Sequence, residues 1–431
     1  MNRDQAREIV NLLLDATSNT VGDDGLADGF IVRAGCLAGV SITIFFSRRR
    51  IISAAIMLRS LGPPYLRQLP LNYSIKALRS FLRERIHLIC DGNPFGNEGA
   101  PFLDRMKHED VGLLVDEFMK CDILHPDNQA IIFPLVTVRV ADDLRGSVFT
   151  FSSNPRLQDQ PQFAGLPSGY INGDQYPPFA SWNRQTESPA SWLLVNAPSV
   201  EVAKKYRASI LGAVALTVMH QYRYQFTERK VFGGIASFGS RWTVSGSSPH
   251  TPALGALIDL TSEDKDWLDI LDLAIVSTDE SNIKSVKALQ YFYRSWFLFD
   301  SERFVIDCIT LDSLFGDAKG ATEAVARGVE DLFGGRIDRA RVLLLMRLRS
   351  SVIHGGAPDV FDSEKYGKYY RKYGEDPISD MSSLVAECLR RKIFSGTLRE
   401  QSDPYARTIA DAVAAGIYPL RRPTGILSDI D

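Results

Sequence analysis

Apolar positions recur at helical spacing near the start of the chain and again through its last third. Residues 3–18 alternate apolar and charged positions at helical period, which predicts an amphipathic helix, and Val200 to Phe226 predict one long apolar helix. Two further helix-like segments lie near 79–90 and 111–124. Short apolar runs predict strands at 29–33, 38–46, 130–140, 147–152 and 191–196.

From Asp264 onward the pattern is almost wholly helical. Short helices that stop at glycines and are joined by brief connections are typical of an antiparallel bundle. The predicted helices span 283–299, 301–315, 321–333, 338–354, 379–394 and 403–415, with an insertion from Gly355 to Asp376.

These patterns predict an α+β chain with a domain boundary near 262–280. We expect a mixed α/β sensor or regulatory domain at 1–262, a helical bundle at 280–418 and a tail at 419–431. Residues 153–190 are rich in Pro, Gly, Ser and Asn, so we expect a long loop there that is also a candidate for dividing the first domain.

Composition adds limits to this picture. A chain of 431 residues exceeds one ordinary core, and a net charge of −3 argues against a protein that coats nucleic acid, although a local basic patch remains open. The charged N-terminus does not resemble a signal peptide, and the apolar run from Cys36 to Phe46 is too short to cross a membrane. Five scattered cysteines without a CxxC pair favour free thiols in a reducing cytoplasm.

The stretch 343–358 carries the most specific chemistry in the chain. Arg347, Arg349 and His354 stand at the end of an apolar helix that Gly355 stops, which places a proton-transfer group beside fixed cations. The spacing alone is weak, because about one such match is expected by chance. On an ideal helix, His354 lies about 20° from Arg347 but about 140° from Arg349. Arg349 would therefore need a distorted helix end or a second subunit to meet His354.

A structural interpretation of the same residues is open. His354 would then cap its own helix, and the arginines would be solvated or paired with Asp338 or Glu330.

The segment from about Ala288 to Gly355 resembles the Apea-like branch of the HEPN superfamily. The resemblance rests on the Phe292-Tyr-Arg-Ser-Trp-Phe helix, on Arg303 to Phe315, on Ala326-Arg-Gly-Val-Glu-Asp-Leu-Phe, and most specifically on Leu348-Arg-Ser-Ser-Val-Ile-His-Gly355. It implies a helical bundle that dimerises, so that two Arg-to-His motifs form one composite site for RNA cleavage. By this match Arg349 and His354 are the catalytic residues.

Two positions depart from the branch's pattern. Asp312 stands where a glutamate is usual, which keeps the charge but shortens the reach, and Ser350 follows the motif arginine. We take Arg347, Ser350 and Asp312 as supporting residues of the predicted site.

The expected activity is that of a metal-independent endoribonuclease acting on single-stranded RNA, with loops or tRNA as possible substrates and 2′,3′-cyclic phosphate ends as products. The resemblance further implies a cytoplasmic homodimer that serves as a regulated toxin or anti-phage defence effector, with an unknown trigger at the N-terminal domain. The alternative is a non-catalytic dimerising module that binds RNA, a nucleotide or a protein. We expect no cofactor, no metal and no membrane partner.

The insertion after the motif supplies candidate RNA contacts. It interleaves tyrosines with basic residues, a composition typical of surfaces that bind single-stranded nucleic acid. A solvated loop whose tyrosine rings pack on the bundle would have the same composition. The candidates are Lys365, Tyr366, Lys368, Tyr369, Tyr370, Arg371 and Lys372, with Arg341 adding charge at the start of the motif helix.

Overall fold

The computed structural model divides the chain into two compact units, Met1–Asn128 and Gln129–Asp431. It describes residues 1–19, 27–33, 41–92, 100–153, 189–238, 242–317, 320–403, 405–417 and 425–428. The predicted loop at 153–190 and the predicted tail at 419–431 lie almost wholly outside these residues. The α+β fold class is confirmed, since helices and an extended sheet are both present.

The first unit contains a small antiparallel sheet and helices. Its first helix begins at a capping box, in which the side chains of Asn2 and Gln5 each accept a hydrogen bond from the other residue's backbone N–H, at 2.9 Å. The strand order is β1-β3-β2. The elements are α1 (Arg3–Asp15), β1 (Thr17–Ser18), β2 (Ala27–Arg33), β3 (Ser41–Ser47), α2 (Arg48–Leu61), α3 (Tyr65–Gln68), α4 (Leu71–Arg85) and α5 (His108–Lys120).

The second unit begins with a six-stranded antiparallel sheet of order β10-β9-β4-β8-β7-β6 and a separate parallel pair of β5 with β11. The predicted strand at 130–140 is therefore two strands, which end up in different sheets. The strands are β4 (Gln129–Leu135), β5 (Val138–Val140), β6 (Leu144–Arg145), β7 (Phe149–Ser153), β8 (Ser191–Ala197), β9 (Gly233–Phe238), β10 (Trp242–Ser247) and β11 (Ile258–Leu260).

The six helices predicted after residue 280 are confirmed within a few residues at each end. One prediction was wrong, since the helix expected to reach Phe226 ends at Thr217. The insertion after the motif, to which the sequence analysis assigned no element, holds a helix. The helices are α6 (Val200–Thr217), α7 (His220–Arg223), α8 (Lys265–Val276), α9 (Glu280–Ser295), α10 (Asp300–Phe315), α11 (Ala321–Phe333), α12 (Arg339–Ile353), α13 (Glu364–Tyr373), α14 (Pro377–Phe394) and α15 (Ala406–Ala414).

The early end of α6 has a physical cause. The carbonyl of Leu216 accepts a hydrogen bond from Arg390 at 2.7 Å, and the carbonyl of Thr217 accepts one from the backbone N–H of Gln401 at 2.7 Å. Val218 then turns to an extended conformation. Side-chain and backbone donors from elsewhere thus satisfy the last carbonyls of α6, so the helix need not continue.

The sheet and the helices of the second unit form one compact body that crosses 262–280, whereas the sequence analysis placed the domain boundary there. Helix α6 lies so close to α9 that a Cβ atom at Gly212 would sit 2.2 Å from the carbonyl oxygen of Leu289. The Asp272 carboxylate accepts hydrogen bonds at 2.8 Å from the backbone N–H groups of Ser147 and Val148. Such contacts join segments that hydrophobic periodicity treats as separate.

Across the described ranges, no helix has both the length and the apolar character needed to cross a membrane.

Candidate active site

Helix α12 carries the predicted motif, and its two ends are well defined. Asp338 caps the start, where its carboxylate accepts a hydrogen bond from the backbone N–H of Ala340 at 2.8 Å. His354 is the last residue before the chain turns, and Gly355 follows with a φ of 74° that glycine adopts easily. The helix buries Leu345 and Leu348, so the motif stands at the end of a packed element, as predicted.

Arg349 turns toward α10 and forms an ion pair there with Asp312. Both side chains are largely covered, with 21% and 19% exposed. Burial raises the pKa of the Asp312 carboxyl, and the neighbouring guanidinium offsets only part of that rise. Among the described residues, Arg349 Nε and Asp312 Oδ1 are buried without a hydrogen-bond partner, so the pair is incompletely satisfied.

His354 and Arg347 are both exposed. Within the part of the chain that the structure describes, neither side chain makes a hydrogen bond or an ion pair. They are seven positions apart, which on an ideal helix is about 10 Å along the axis and about 20° around it. Arg347 therefore shares the side of the helix that leads to His354, while Arg349 points toward α10.

The partners suggested by the structural interpretation are engaged elsewhere. Glu330 pairs with Arg339 at 3.4 Å, and Asp338 accepts a hydrogen bond from the Tyr373 hydroxyl at 2.9 Å in addition to capping α12. His354 does occupy the cap position of the helix, but through its backbone N–H, which donates to the carbonyl of Ser350 at 3.1 Å. Its imidazole remains available.

Two further predicted residues line the same helix end. The Ser350 hydroxyl donates to the carbonyl of Met346 at 3.2 Å, one turn back along α12, so it is occupied by the helix itself. The Lys365 ammonium donates to the carbonyl of Arg347 at 3.1 Å. Lys365 thus brings a third cation beside Arg347 at the C-terminal end of the helix.

The predicted RNA contacts on α13 separate into inward and outward groups. Tyr369 is fully buried, and its hydroxyl donates to the Asp380 carboxylate and accepts from Arg341 Nε, the latter at 2.8 Å. Arg341 also forms an ion pair with Asp380 and lies 4.7 Å from the centre of the Tyr373 ring. Tyr369 and Arg341 are therefore part of the packing between α12, α13 and α14, and a base cannot stack on Tyr369 in this arrangement.

Tyr366 is also engaged, since its hydroxyl donates to Asp376 at 3.1 Å and its pKa rises to about 12 through burial and the adjacent carboxylate. Lys372 donates to the hydroxyl of Tyr373 at 2.8 Å, yet its side chain is exposed. Of the predicted RNA contacts on α13, Lys368, Tyr370 and Arg371 are exposed in addition to Lys372, and the acidic Glu364 at the start of the helix is exposed as well.

Sequence reasoning missed Asp380, the residue that organises this packing. It sits in the first turns of α14, is 3% exposed, and also accepts a hydrogen bond from the backbone N–H of Ile426 at 2.8 Å. A single aspartate near a helix start normally indicates a solvated first turn. No local pattern marks it as a buried partner, because its contacts come from distant positions in the chain.

No protein-family model, curated protein or solved structure matches the chain. The HEPN resemblance therefore stays a prediction that rests on the quoted motifs.

Proposed function

We propose that the chain is a metal-independent endoribonuclease that cleaves single-stranded RNA to 2′,3′-cyclic phosphate ends. The proposal includes a cytoplasmic homodimer that acts as a regulated toxin or defence effector, as the HEPN resemblance implies. The observation that carries it is the exposed His354 imidazole at the end of α12, with the exposed Arg347 on the same side and the Arg349–Asp312 pair behind it.

The proposed chemistry needs no more than these side chains. The 2′-hydroxyl of RNA attacks the adjacent phosphorus after losing its proton, and the leaving 5′-oxygen takes a proton as its bond to phosphorus breaks. Histidine transfers protons near neutral pH, and a guanidinium stabilises charge on the non-bridging oxygens of the phosphorane. DNA lacks the 2′-hydroxyl and is not cleaved by this route.

The orientation of Arg349 supports a composite site. Its guanidinium is held at Asp312 on α10, away from the side of α12 that leads to His354. In the proposed dimer, each His354 faces the cations of the other subunit, and Arg347 and Lys365 stabilise the phosphate locally.

The decisive experiment compares His354→Ala with His87→Ala on a labelled single-stranded RNA in EDTA. His87 is exposed in the first unit and controls for the loss of a surface histidine. We expect His354→Ala alone to abolish cleavage and the cyclic phosphate product, while an all-deoxy substrate stays intact with the unmodified protein. Cleavage by His354→Ala at the wild-type rate would show that His354 is not a catalytic residue.

The second candidate is a non-catalytic RNA-binding module. It is favoured by the Arg349–Asp312 ion pair, which gives Arg349 a structural role between two helices. Retained RNA binding without cyclic phosphate ends, over a range of buffers and RNA substrates, is the result that distinguishes it from the nuclease.

A further inference from the structure

Helices α2, α3 and α4 of the first unit carry a strong excess of positive charge. Residues 48–85 contain nine arginine or lysine residues and one acidic residue, Glu84, although the whole chain has a net charge of −3. Helix α5 of the same unit has the opposite bias, with four acidic residues and one lysine. The charges of this unit are therefore segregated, whereas solubility alone needs only a surface on which both signs are mixed.

Three of these arginines have structural roles. Arg50 pairs with Asp15 at 3.1 Å, and Arg85 pairs with Glu117 on α5 at 3.1 Å. Arg59 donates to two backbone carbonyls of α3, at 3.2 Å and 3.0 Å. Because the fold uses these three cations, they do not count toward a surface that binds a partner.

The outer face of α4 carries cations of a different kind. Lys76 and Arg83 are exposed, and their separation of seven positions places them about 20° apart around the helix and about 10 Å apart along it. Over the described residues, Lys76 makes no hydrogen bond or ion pair, and Arg83 donates only to the Ser80 hydroxyl, at 3.1 Å. In the same part of the chain, the lining of a cavity of about 260 Å³ consists of these three residues and Arg79.

The start of α2 extends this face. Arg79 reaches from α4 to the end of β3, where its guanidinium carbon lies 5.5 Å from the centre of the Phe46 ring. Phe46 is two residues before Arg48, and both Arg48 and Arg49 are exposed, with no hydrogen bond or ion pair to any described residue. The two helices thus share one surface, the basic face, which consists of Arg48, Arg49, Lys76, Arg79 and Arg83.

The stability of the helices does not explain the basic face. Arg79 and Arg83 are four positions apart on one helix, where like charges repel each other. Arg48 and Arg49 belong to the first turn of α2, which has no acidic residue and where the helix dipole disfavours further positive charge. Both arrangements cost stability in the protein alone, and an anionic partner with several charges would offset that cost.

The chemistry of the basic face favours a nucleic-acid backbone over a membrane surface. Helices that bind membranes combine their cations with large exposed apolar side chains. Among the described residues of the first unit, the exposed large hydrophobic residues are Ile56 on α2 and Leu113 on α5, and α4 has none. The distance of about 10 Å between Lys76 and Arg83 along the helix suits successive phosphates of a strand better than one phosphate group.

We infer that the basic face binds the phosphate backbone of single-stranded RNA. The choice of RNA rests on the proposed nuclease function, whereas the contact with a phosphate backbone rests on the charges of the basic face. Phosphate contacts hold a strand without reading its bases. The basic face therefore contributes equally to the binding of RNA strands of different sequence and to that of DNA, which the proposed nuclease does not cleave.

The test is fluorescence anisotropy of the full chain with labelled RNA and DNA strands of equal length, in EDTA and in the His354→Ala background to prevent cleavage. We expect Lys76→Ala/Arg83→Ala to bind RNA and DNA at least tenfold more weakly. The slope of log affinity against log salt should fall by about 1.4, since each contact with a single strand contributes about 0.7. Arg48→Ala/Arg49→Ala should give a similar loss from the other helix.

The matched control is Lys107→Ala/Lys120→Ala, which removes two exposed lysines from the two ends of α5 in the same unit. It changes the net charge by the same amount, and we expect its affinity to stay within twofold of the parent. All six substituted side chains are exposed, so the unfolding midpoint should not change in any of these variants.

Three results would overturn the inference: an unchanged RNA affinity in both variants of the basic face, an equal loss in the lysine control, or a loss confined to one RNA sequence. Binding to phosphatidylserine vesicles that Lys76→Ala/Arg83→Ala abolishes, with RNA affinity unchanged, would assign the basic face to a membrane instead. The nuclease proposal fails if no cyclic phosphate forms, which is measured independently of these affinities.

Discussion

Arg349 on α12 and Asp312 on α10 form an ion pair that is about four-fifths buried on both sides. The ion pair joins the motif helix α12 to α10, and α11 lies between these two helices in the sequence. The pair gives Arg349 a structural role whether or not RNA is cleaved, so activity and stability must be measured separately for its variants.

Removal of the Arg349 charge should destabilise the fold. Arg349→Met leaves the Asp312 carboxylate without its counter-ion in a largely buried position, for an expected loss of about 1–3 kcal/mol in the free energy of unfolding. The double variant Arg349→Met/Asp312→Leu should recover part of that loss, because no unpaired charge remains. Urea unfolding of the wild type, of Arg349→Met, of Asp312→Leu and of the double variant measures the coupling energy between the two residues. Strictly additive effects of the two single substitutions would contradict the ion pair.

Arg347→Ala is expected to affect activity alone. The side chain is exposed and unpartnered, so the free energy of unfolding should change by less than about 0.5 kcal/mol. Loss of a cation that stabilises the phosphorane should slow RNA cleavage about a hundredfold. Arg327→Ala, an exposed arginine on α11, serves as the control and should cleave normally. A normal rate in Arg347→Ala would exclude it from the site.

Tyr369 and Tyr370 should respond in opposite ways. Tyr369→Phe removes a hydroxyl that links Asp380 and Arg341, so the protein should lose about 1–3 kcal/mol of stability with no change in RNA affinity. Tyr370→Ala, at a side chain that is 57% exposed, should keep its stability and bind RNA more weakly. Unfolding curves and fluorescence anisotropy with a labelled RNA measure the two effects. The reverse pattern would mean that α13 rearranges on RNA.

Asp307 should make the protein less stable as pH rises. Its side chain is fully buried, and desolvation raises its pKa to about 6 even though Ser382 donates a hydrogen bond at 2.8 Å. In the unfolded chain the pKa is about 3.9, so the folded state binds the proton more tightly. Its contribution is therefore complete below about pH 4 and is lost as pH rises through about 6.

The measurement is the difference between Asp307→Asn and the wild type in urea unfolding from pH 4 to pH 8. The amide still accepts from Ser382 but never ionises. We expect a relative gain for the variant that grows by about 2–3 kcal/mol between pH 4 and pH 7, at about 1.4 kcal/mol per pKa unit. A difference that is constant with pH would show that Asp307 does not titrate in this window.

Gly212→Ala tests the contact between α6 and α9. The added methyl group would overlap the Leu289 carbonyl, so we expect a loss of about 2 kcal/mol or more in the free energy of unfolding. Gly112→Ala in α5 is the matched control, because its methyl group would meet nothing within 4 Å. In that helix the same change should stabilise by about 0.5–1 kcal/mol. Equal effects at both positions would argue against the close approach.

Features that depend on the local sequence pattern, such as the bounds of a helix, were predicted correctly. Helix α12 was placed within a residue of its bounds because Asp338 and Gly355 mark its ends. Ideal helical geometry likewise predicted that Arg349 and Arg347 would point in different directions.

What the sequence did not predict depends on contacts between distant positions. Helix α13 lies in the insertion to which the sequence analysis assigned no element, and the helix buries Tyr369 against Asp380 on α14. The end of α6 depends on Arg390 and Gln401, far along the chain. Hydrophobic periodicity depends on neighbouring positions only, so it cannot predict contacts with residues far along the chain.

The close packing of α6 on α9 also limits how the protein can be cut. A fragment that starts at residue 280 would lose α6 with Gly212 and would also lose Arg223. The carbonyl of Arg223 accepts a hydrogen bond from the Trp296 indole at 3.0 Å, and its guanidinium lies 5.6 Å from the centre of the Phe292 ring. Both aromatic side chains, fully buried in the intact chain, would face solvent. Such a truncated bundle should aggregate on expression, so nuclease assays require the sheet that precedes it.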